Sequence, residues 1–550
     1  MLYFAVPDSS GSAETTTRGM PWWDLPAKVA GLVGVGGLAY RAVLVVLGVP
    51  ATNSDEATMG LAALHISQGR DFPAFFYGQS YMGTLEAYLA APLFWLFGPT
   101  TVALRLPTLL LYGVFVVGMF ALTRLIVGPW PAVVTVAVLA LGSDRIVKNQ
   151  LIAAGGYPEI SPGAAVLFLL ATLLGLGLIP PRRRTFMLWG LISGLLFWTH
   201  WLILPYLGVA GLVLIAAARK NRNRMNLGSV AWATVLGFVV GSLPLLVYNL
   251  SSPFSSNSVG VFLSQNASAA DSSLADKIYG GVLLGIPMGV GLCSPGRCET
   301  WHLLWSFPYL VALLVAGFIA VKGLRQGADE GFRNLVRLGL VAAAGTTVLA
   351  YARSSSAAET PVESARYLSP LLVSTPVLLW LVWTLAARLV RLGEGRNVST
   401  ARRRLFTLAV TVPAGAVLAV MAVATSALAL EVPAIREAEE RRDSLAEYLL
   451  AQGSRYVYAD YWTCNRLTFR AREEIRCAVL NDDLTRGHDR YAPYRRAVES
   501  SANPVYVVPE SLPLDGHVRA ALDTSGVAYR VSRVAGHNIY VPARPLPIPS

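Results

Sequence analysis

The sequence predicts a polytopic α-helical membrane protein of about 11 transmembrane helices, with interfacial helices in its first external loop and a small C-terminal α/β domain outside the membrane. Three observations carry this expectation. Hydrophobic residues make up 54% of the 550-residue chain and charged residues only 14%, whereas a soluble domain carries about 25% charged residues. Apolar segments recur between residues 28 and 428, most of them close to the about 20 residues needed to cross a hydrocarbon core. Beyond residue 431 the composition changes, and short alternating stretches replace the apolar runs.

The formal net charge of +12 would point to a polyanionic partner in a soluble chain. Here the basic residues cluster in short loops between apolar runs, which is a signal of topology. No nucleic-acid partner is expected. The chain has no GxxxxGK[ST] phosphate loop and no GxGxxG after a strand, which argues against nucleotide-driven transport.

Taken in order, residues 1–27 read as a cytoplasmic tail, polar and rich in Ser and Thr over 1–20, with Trp22 and Trp23 as an interfacial anchor. Residues 28–48 form the first span, longer than a signal-peptide core and therefore a retained anchor. Residues 49–100 form a long external loop in which 58–68 and 84–97 are too short to cross and read as helices along the interface. Further spans are expected at 101–127, 131–141, 162–179, 186–199, 201–218, 228–248, 303–321, 335–351, 366–390 and 405–428. The membrane domain is thus 28–430, followed by an extracytoplasmic domain at 431–550. The latter opens on a charged amphipathic helix at 435–451, with strands expected at 456–458, 505–508, 527–531 and 539–541 and a helix at 515–523.

Basic clusters at 182–184, 219–224, 322–337 and 388–404 fall on one side with the N-terminus, the cytoplasmic side of a multi-pass plasma-membrane protein. The opposite side receives 49–100, 143–161, 251–300, 352–365 and everything after 431. All four cysteines lie there, outside the spans, as two local pairs: Cys293 with Cys298 around a Pro-Gly turn, and Cys464 with Cys477. Disulfides would fit an oxidising compartment, with free thiols as the alternative.

The external face gathers the chemistry. Asp55 and Glu56 directly follow the first span, and carboxylates contribute little to orientation. One explanation is a helix N-cap formed by Ser54 or Asp55; the other is catalysis. The same loop adds Tyr77, Tyr81 and Glu86; the next adds Lys148, Tyr157 and Glu159; a later one adds Glu359, Glu363 and Arg366. A sugar site at a membrane needs such a set, because aromatic faces stack on pyranose rings, carboxylates bind hydroxyls, and Arg or Lys neutralises phosphate. Plainer roles stand beside these. Tyr77 and Tyr81 fit an aromatic belt, Glu159 a cap for a helix opening near Pro162, and Arg366 a snorkelling anchor. Tyr458, Tyr461 and Trp462 fit the packed face of a strand. The six histidines show no ligand spacing, with His200 an orienting residue at most, and a divalent cation is left open as a cofactor.

With these residues in place the chain resembles the GT-C superfamily of integral-membrane glycosyltransferases, in its protein O-mannosyltransferase and aminoarabinose-transferase-like branch. The resemblance is carried by Asp55-Glu56 after the first span, the long first loop, Arg105-Leu106-Pro107 opening the next span, and Arg366-Tyr367-Leu368-Ser369-Pro370 opening a late one. It implies a polyprenyl-phosphate-sugar donor, a glycan, lipid or protein acceptor, inversion at the anomeric carbon, and Asp55 as general base. Glu56, Tyr77, Tyr81, Glu86, Arg105, Lys148, Tyr157, Glu159 and Arg366 would then bind substrate. The competing classes are a lipid or sugar transporter, which should show broken helices and charges at mid-membrane, and a non-catalytic glycan-binding membrane partner.

Overall fold

The computed structural model describes residues 23–267, 272–391 and 400–548. The tail over 1–20, Trp22 and part of the basic cluster at 388–404 lie outside the described residues. Eight helices among the described residues are long and apolar enough to cross a membrane: Leu25–Val46, Thr101–Ile126, Tyr157–Gly175, Trp201–Lys220, Thr300–Gly323, Ala328–Arg353, Pro361–Ala386 and Thr411–Ala451. Two further apolar segments are broken, Pro129–Ala140 with Asp144–Leu151 at 88° and Leu227–Gly241 with Leu243–Ser251 at 63°. The remaining expected span, 186–199, falls on helix Arg183–Thr199, whose 17 residues do not qualify as a crossing, so the described residues give eight to ten spans where about 11 were expected.

Backbone freed by a break inside a membrane must find internal partners. At the first break Gly142 takes φ +142°, and the fully buried Arg41 of the first helix donates to the carbonyls of Ala140 at 2.9 Å and Leu139 at 3.2 Å. Tyr112 adds a third donor, to Leu139 O at 3.1 Å. Arg41 is therefore a seal for the break. Helix Asp144–Leu151 turns back from it toward the candidate site.

The basic segments gather at one end, where Lys220 bonds Asp329 at 2.7 Å and Arg337 Nε donates to Ile126 O at 2.8 Å. The other end carries the first loop, the Cys293–Cys298 disulfide and the C-terminal domain, whose own disulfide joins Cys464 to Cys477. The last span and the expected helix at 435–451 are a single helix, Thr400–Ala451, of 52 residues. Ion pairs Arg436–Glu440, Arg441–Glu437 and Arg442–Glu439, three and four residues apart, support it beyond the membrane.

The C-terminal domain is a five-stranded sheet of β1 (Tyr456–Ala459), β2 (Arg476–Val479), β3 (Val505–Pro509), β4 (Tyr529–Val534) and β5 (His537–Pro542), in the order β2-β1-β3-β5-β4. β1 runs parallel to β2 and β3, and β5 antiparallel to β3 and β4. Leu445, Leu449 and Leu467 cover one face, and Val498, Leu514 and Val518 the other. β2 escapes an alternation pattern because a parallel strand covered on both faces is apolar throughout; Cys477, Ala478 and Val479 are all buried.

Candidate active site

The first loop builds the centre of the site. Asn53 caps helix Ser54–Ser67, its side chain accepting from Glu56 N at 2.8 Å. The capping role expected of Ser54 or Asp55 thus belongs to Asn53, and the Asp55 carboxylate is not used for it. The helix lies buried beneath the C-terminal domain. Ser54 Oγ donates to Tyr461 O at 2.7 Å, and Asn465 Nδ2 donates to Ser54 Oγ at 2.9 Å.

Asp55 is 21% exposed and faces a cavity of about 670 Å³. Its Oδ1 accepts from the Tyr461 hydroxyl at 2.5 Å and from Arg490 Nη2 at 3.1 Å. Tyr461 was expected on the face of a strand. Instead β1 ends at Ala459, and Asp460 caps a new helix, Tyr461–Arg470, by accepting from Trp462 N and Thr463 N. That turn swings the Tyr461 ring toward the first loop. Burial, and then the Asp55 charge, push the Tyr461 phenol well above its ordinary value, so it stays a hydrogen-bond donor.

The same cavity is walled by Tyr81, Tyr157, His200, Arg366 and Tyr367, with Phe76, Met82, Trp201 and Phe262 among its apolar members. Tyr157 and Tyr367 stack at 6.2 Å and 7°. Arg366 lies over Tyr157 at 4.6 Å and Tyr367 at 5.9 Å, with a buried Nε that has no hydrogen-bond partner among the described residues. Arg366 lines the cavity with its Nε buried, whereas a snorkelling anchor carries its charge to water. His200 packs on Tyr157 at 5.0 Å, and its Nδ1 accepts from Leu202 N.

The other expected residues sit elsewhere. Glu56 and Arg105 are fully buried and pair with each other, Nε to Oε1 at 2.7 Å and Nη2 to Oε2 at 2.6 Å. They brace the first-loop helix against helix Thr101–Ile126, behind Asp55, and do not line the cavity. Glu86 and Glu159 are likewise buried and interact with each other. Glu86 Oε1 accepts from Gly156 N at 2.9 Å, while its Oε2 and both Glu159 oxygens have no donor among the described residues. Burial pushes the Glu86 carboxyl above its ordinary value. The helix that Glu159 was expected to cap opens earlier, at Tyr157.

Tyr77 belongs to the seam between the first loop and the C-terminal domain. It donates to Asp71 at 2.9 Å and bonds His65 Nδ1 at 2.7 Å, while His65 Nε2 lies 3.0 Å from Glu473. Lys148, on helix Asp144–Leu151, is half-buried and shares an electrostatic neighbourhood with Asp144, Arg145, Arg366 and Glu56. Among the described residues no three His, Cys, Asp or Glu side chains converge as a metal site. Arg490 carried no signal in the sequence, because it lies in an irregular loop and meets Asp55 across 435 positions.

No protein-family model matches the sequence, and no curated protein matches it. Solved structures do match. The crystal structure of ArnT from Cupriavidus metallidurans bound to undecaprenyl phosphate is 14% identical, over 94% of this chain and 97% of that one, with a TM-score of 0.56. Its apo state is 15% identical over 94% and 98%, with a TM-score of 0.53. The similarity covers the membrane helices and the α/β domain together, and the chain shares the overall fold of that protein.

Proposed function

We propose that the protein is a membrane glycosyltransferase that moves a hexosyl or pentosyl group from a polyprenyl-phosphate donor to an acceptor hydroxyl at the extracytoplasmic face, with inversion. The acceptor is a glycan, a lipid or a protein. The observation that carries this reading is one cavity with Asp55, Arg366 and several aromatic rings in its walls. ArnT, which shares the fold, was crystallised with undecaprenyl phosphate, and that supports the donor class. The basic clusters support a cytoplasmic N-terminus, with residues 431–550 outside.

The chemistry follows from the charges. A sugar phosphate leaves as a stabilised anion, so it needs a cation more than an acid, and Arg366 supplies one. The acceptor hydroxyl is the weak partner and needs a base within hydrogen-bond reach. Asp55 Oδ1 is engaged by Tyr461 and Arg490, which leaves Oδ2 to take the proton. The acceptor oxygen bonds to the anomeric carbon as the bond from that carbon to the phosphate oxygen breaks. The electron pair leaves with the lipid phosphate.

Broken helices are also a transporter's feature, but here the break at Gly142 is closed by Arg41 and Tyr112. That favours fixed architecture over gating. The test is Asp55→Asn assayed at saturating donor. Because Asn53 holds the cap, the variant should fold and bind donor while transfer falls by about 10²-fold or more, the size of a general-base contribution. Full transfer by the folded variant would remove Asp55 from the chemistry.

A further inference from the structure

We infer that Tyr461 and Arg490 are positioning residues for the transfer reaction, so that the α/β domain completes the catalytic centre. This rests on the reading of Asp55 as the base. The three side chains close a ring: Arg490 Nε donates to Tyr461 Oη at 2.7 Å, Tyr461 donates to Asp55 Oδ1 at 2.5 Å, and Arg490 Nη2 donates to the same oxygen at 3.1 Å. The ring has one possible direction. A guanidinium only donates, so the Tyr461 oxygen must accept from it and must give its own hydrogen to Asp55.

Two donors on Oδ1 fix the rotation of the carboxylate, and among the described residues none donates to Oδ2. The ring is itself well held. Arg490 is 9% exposed and lies over the Phe76 ring at 4.9 Å, and the Tyr461 carbonyl accepts from Ser54 next to Asp55. A mere latch between the domain and the membrane part would not need to act on Asp55, the one carboxylate among the described residues that lines the cavity. A separate latch is already present at the seam, where Glu473 takes hydrogen bonds from His65, Arg70 and Tyr494. The domain can therefore stay docked when the ring is cut.

The test uses the full-length purified protein, with kcat and donor KM measured for Tyr461→Phe, Arg490→Gln and the seam control Tyr494→Phe, each also checked for thermal stability. Positioning predicts a kcat lowered about 10- to 100-fold in the first two, as expected for a displaced reacting group, with donor KM unchanged and the control at the wild-type rate. Added to Asp55→Asn, Tyr461→Phe should cost nothing further in the residual rate. Should Arg490→Gln fail to fold, the nearly isosteric Tyr461→Phe decides alone. Wild-type kcat in folded Tyr461→Phe, an equal loss in the Asp55→Asn background, or a rise in kcat that marks the ring as a brake would each overturn the inference. If Asp55→Asn is inactive and Tyr461→Phe is not, the inference fails alone; if Asp55→Asn is active, the reading beneath it has failed.

Discussion

Arg366 and Glu56 were both expected to touch substrate, and their surroundings now separate them. Arg366 lies against two tyrosine rings with an unpartnered Nε, so Arg366→Ala should raise the donor KM at least tenfold while the protein keeps its melting temperature. Unchanged donor kinetics would make it a packing residue. Glu56 is one half of a fully buried bidentate pair. Glu56→Gln leaves the Arg105 charge uncompensated, an error that costs about 3–5 kcal/mol in a buried pair. The expected outcome is a large loss of thermal stability at any substrate concentration, whereas a substrate contact would show a normal melt and a raised KM. Residue types and chain order were enough to nominate Asp55, Tyr157 and Arg366, because a carboxylate after an apolar span and a cation at the head of another are visible without coordinates. Arg490 was not legible, since its role depends on a contact made across 435 positions.

At the scale of elements, the spans and both cysteine pairs were legible because hydropathy and local spacing are properties of short windows. The break at 242 was not, because apolar composition continues through it; at 141, where the expected span does end, the seal that Arg41 of another helix provides was equally out of reach. Nor was the seam, where helices Ser54–Ser67 and Tyr461–Arg470 meet. There burial alone would raise the Glu473 carboxyl, but hydrogen bonds from His65, Arg70 and Tyr494 outweigh it and hold it down at about 2, against an ordinary value of 4.5. A carboxylate lowered in the folded state stabilises fully above its unfolded value and loses that contribution as pH falls through the folded one. Docking of the α/β domain should therefore weaken between about pH 4.5 and about pH 2, seen as growing protease sensitivity near residue 452. Glu473→Gln should flatten that dependence, and an unchanged pH profile in this variant would assign the loss to other groups.

For the whole molecule, the membrane bundle and the α/β domain form one device: the bundle presents the cation and the aromatic walls, and the domain holds the carboxylate from above. The transporter class shares the broken helices, and a binding partner would share the cavity, but neither has a use for two donors on the Asp55 carboxylate. Purified protein in liposomes, supplied with a radiolabelled polyprenyl-phosphate sugar and a hydroxyl acceptor, separates all three. The expected result is that label leaves the lipid, with free polyprenyl phosphate released in step with sugar transferred to the acceptor or to water. Label that crosses the bilayer or stays bound, with the bond between sugar and phosphate intact, would contradict it.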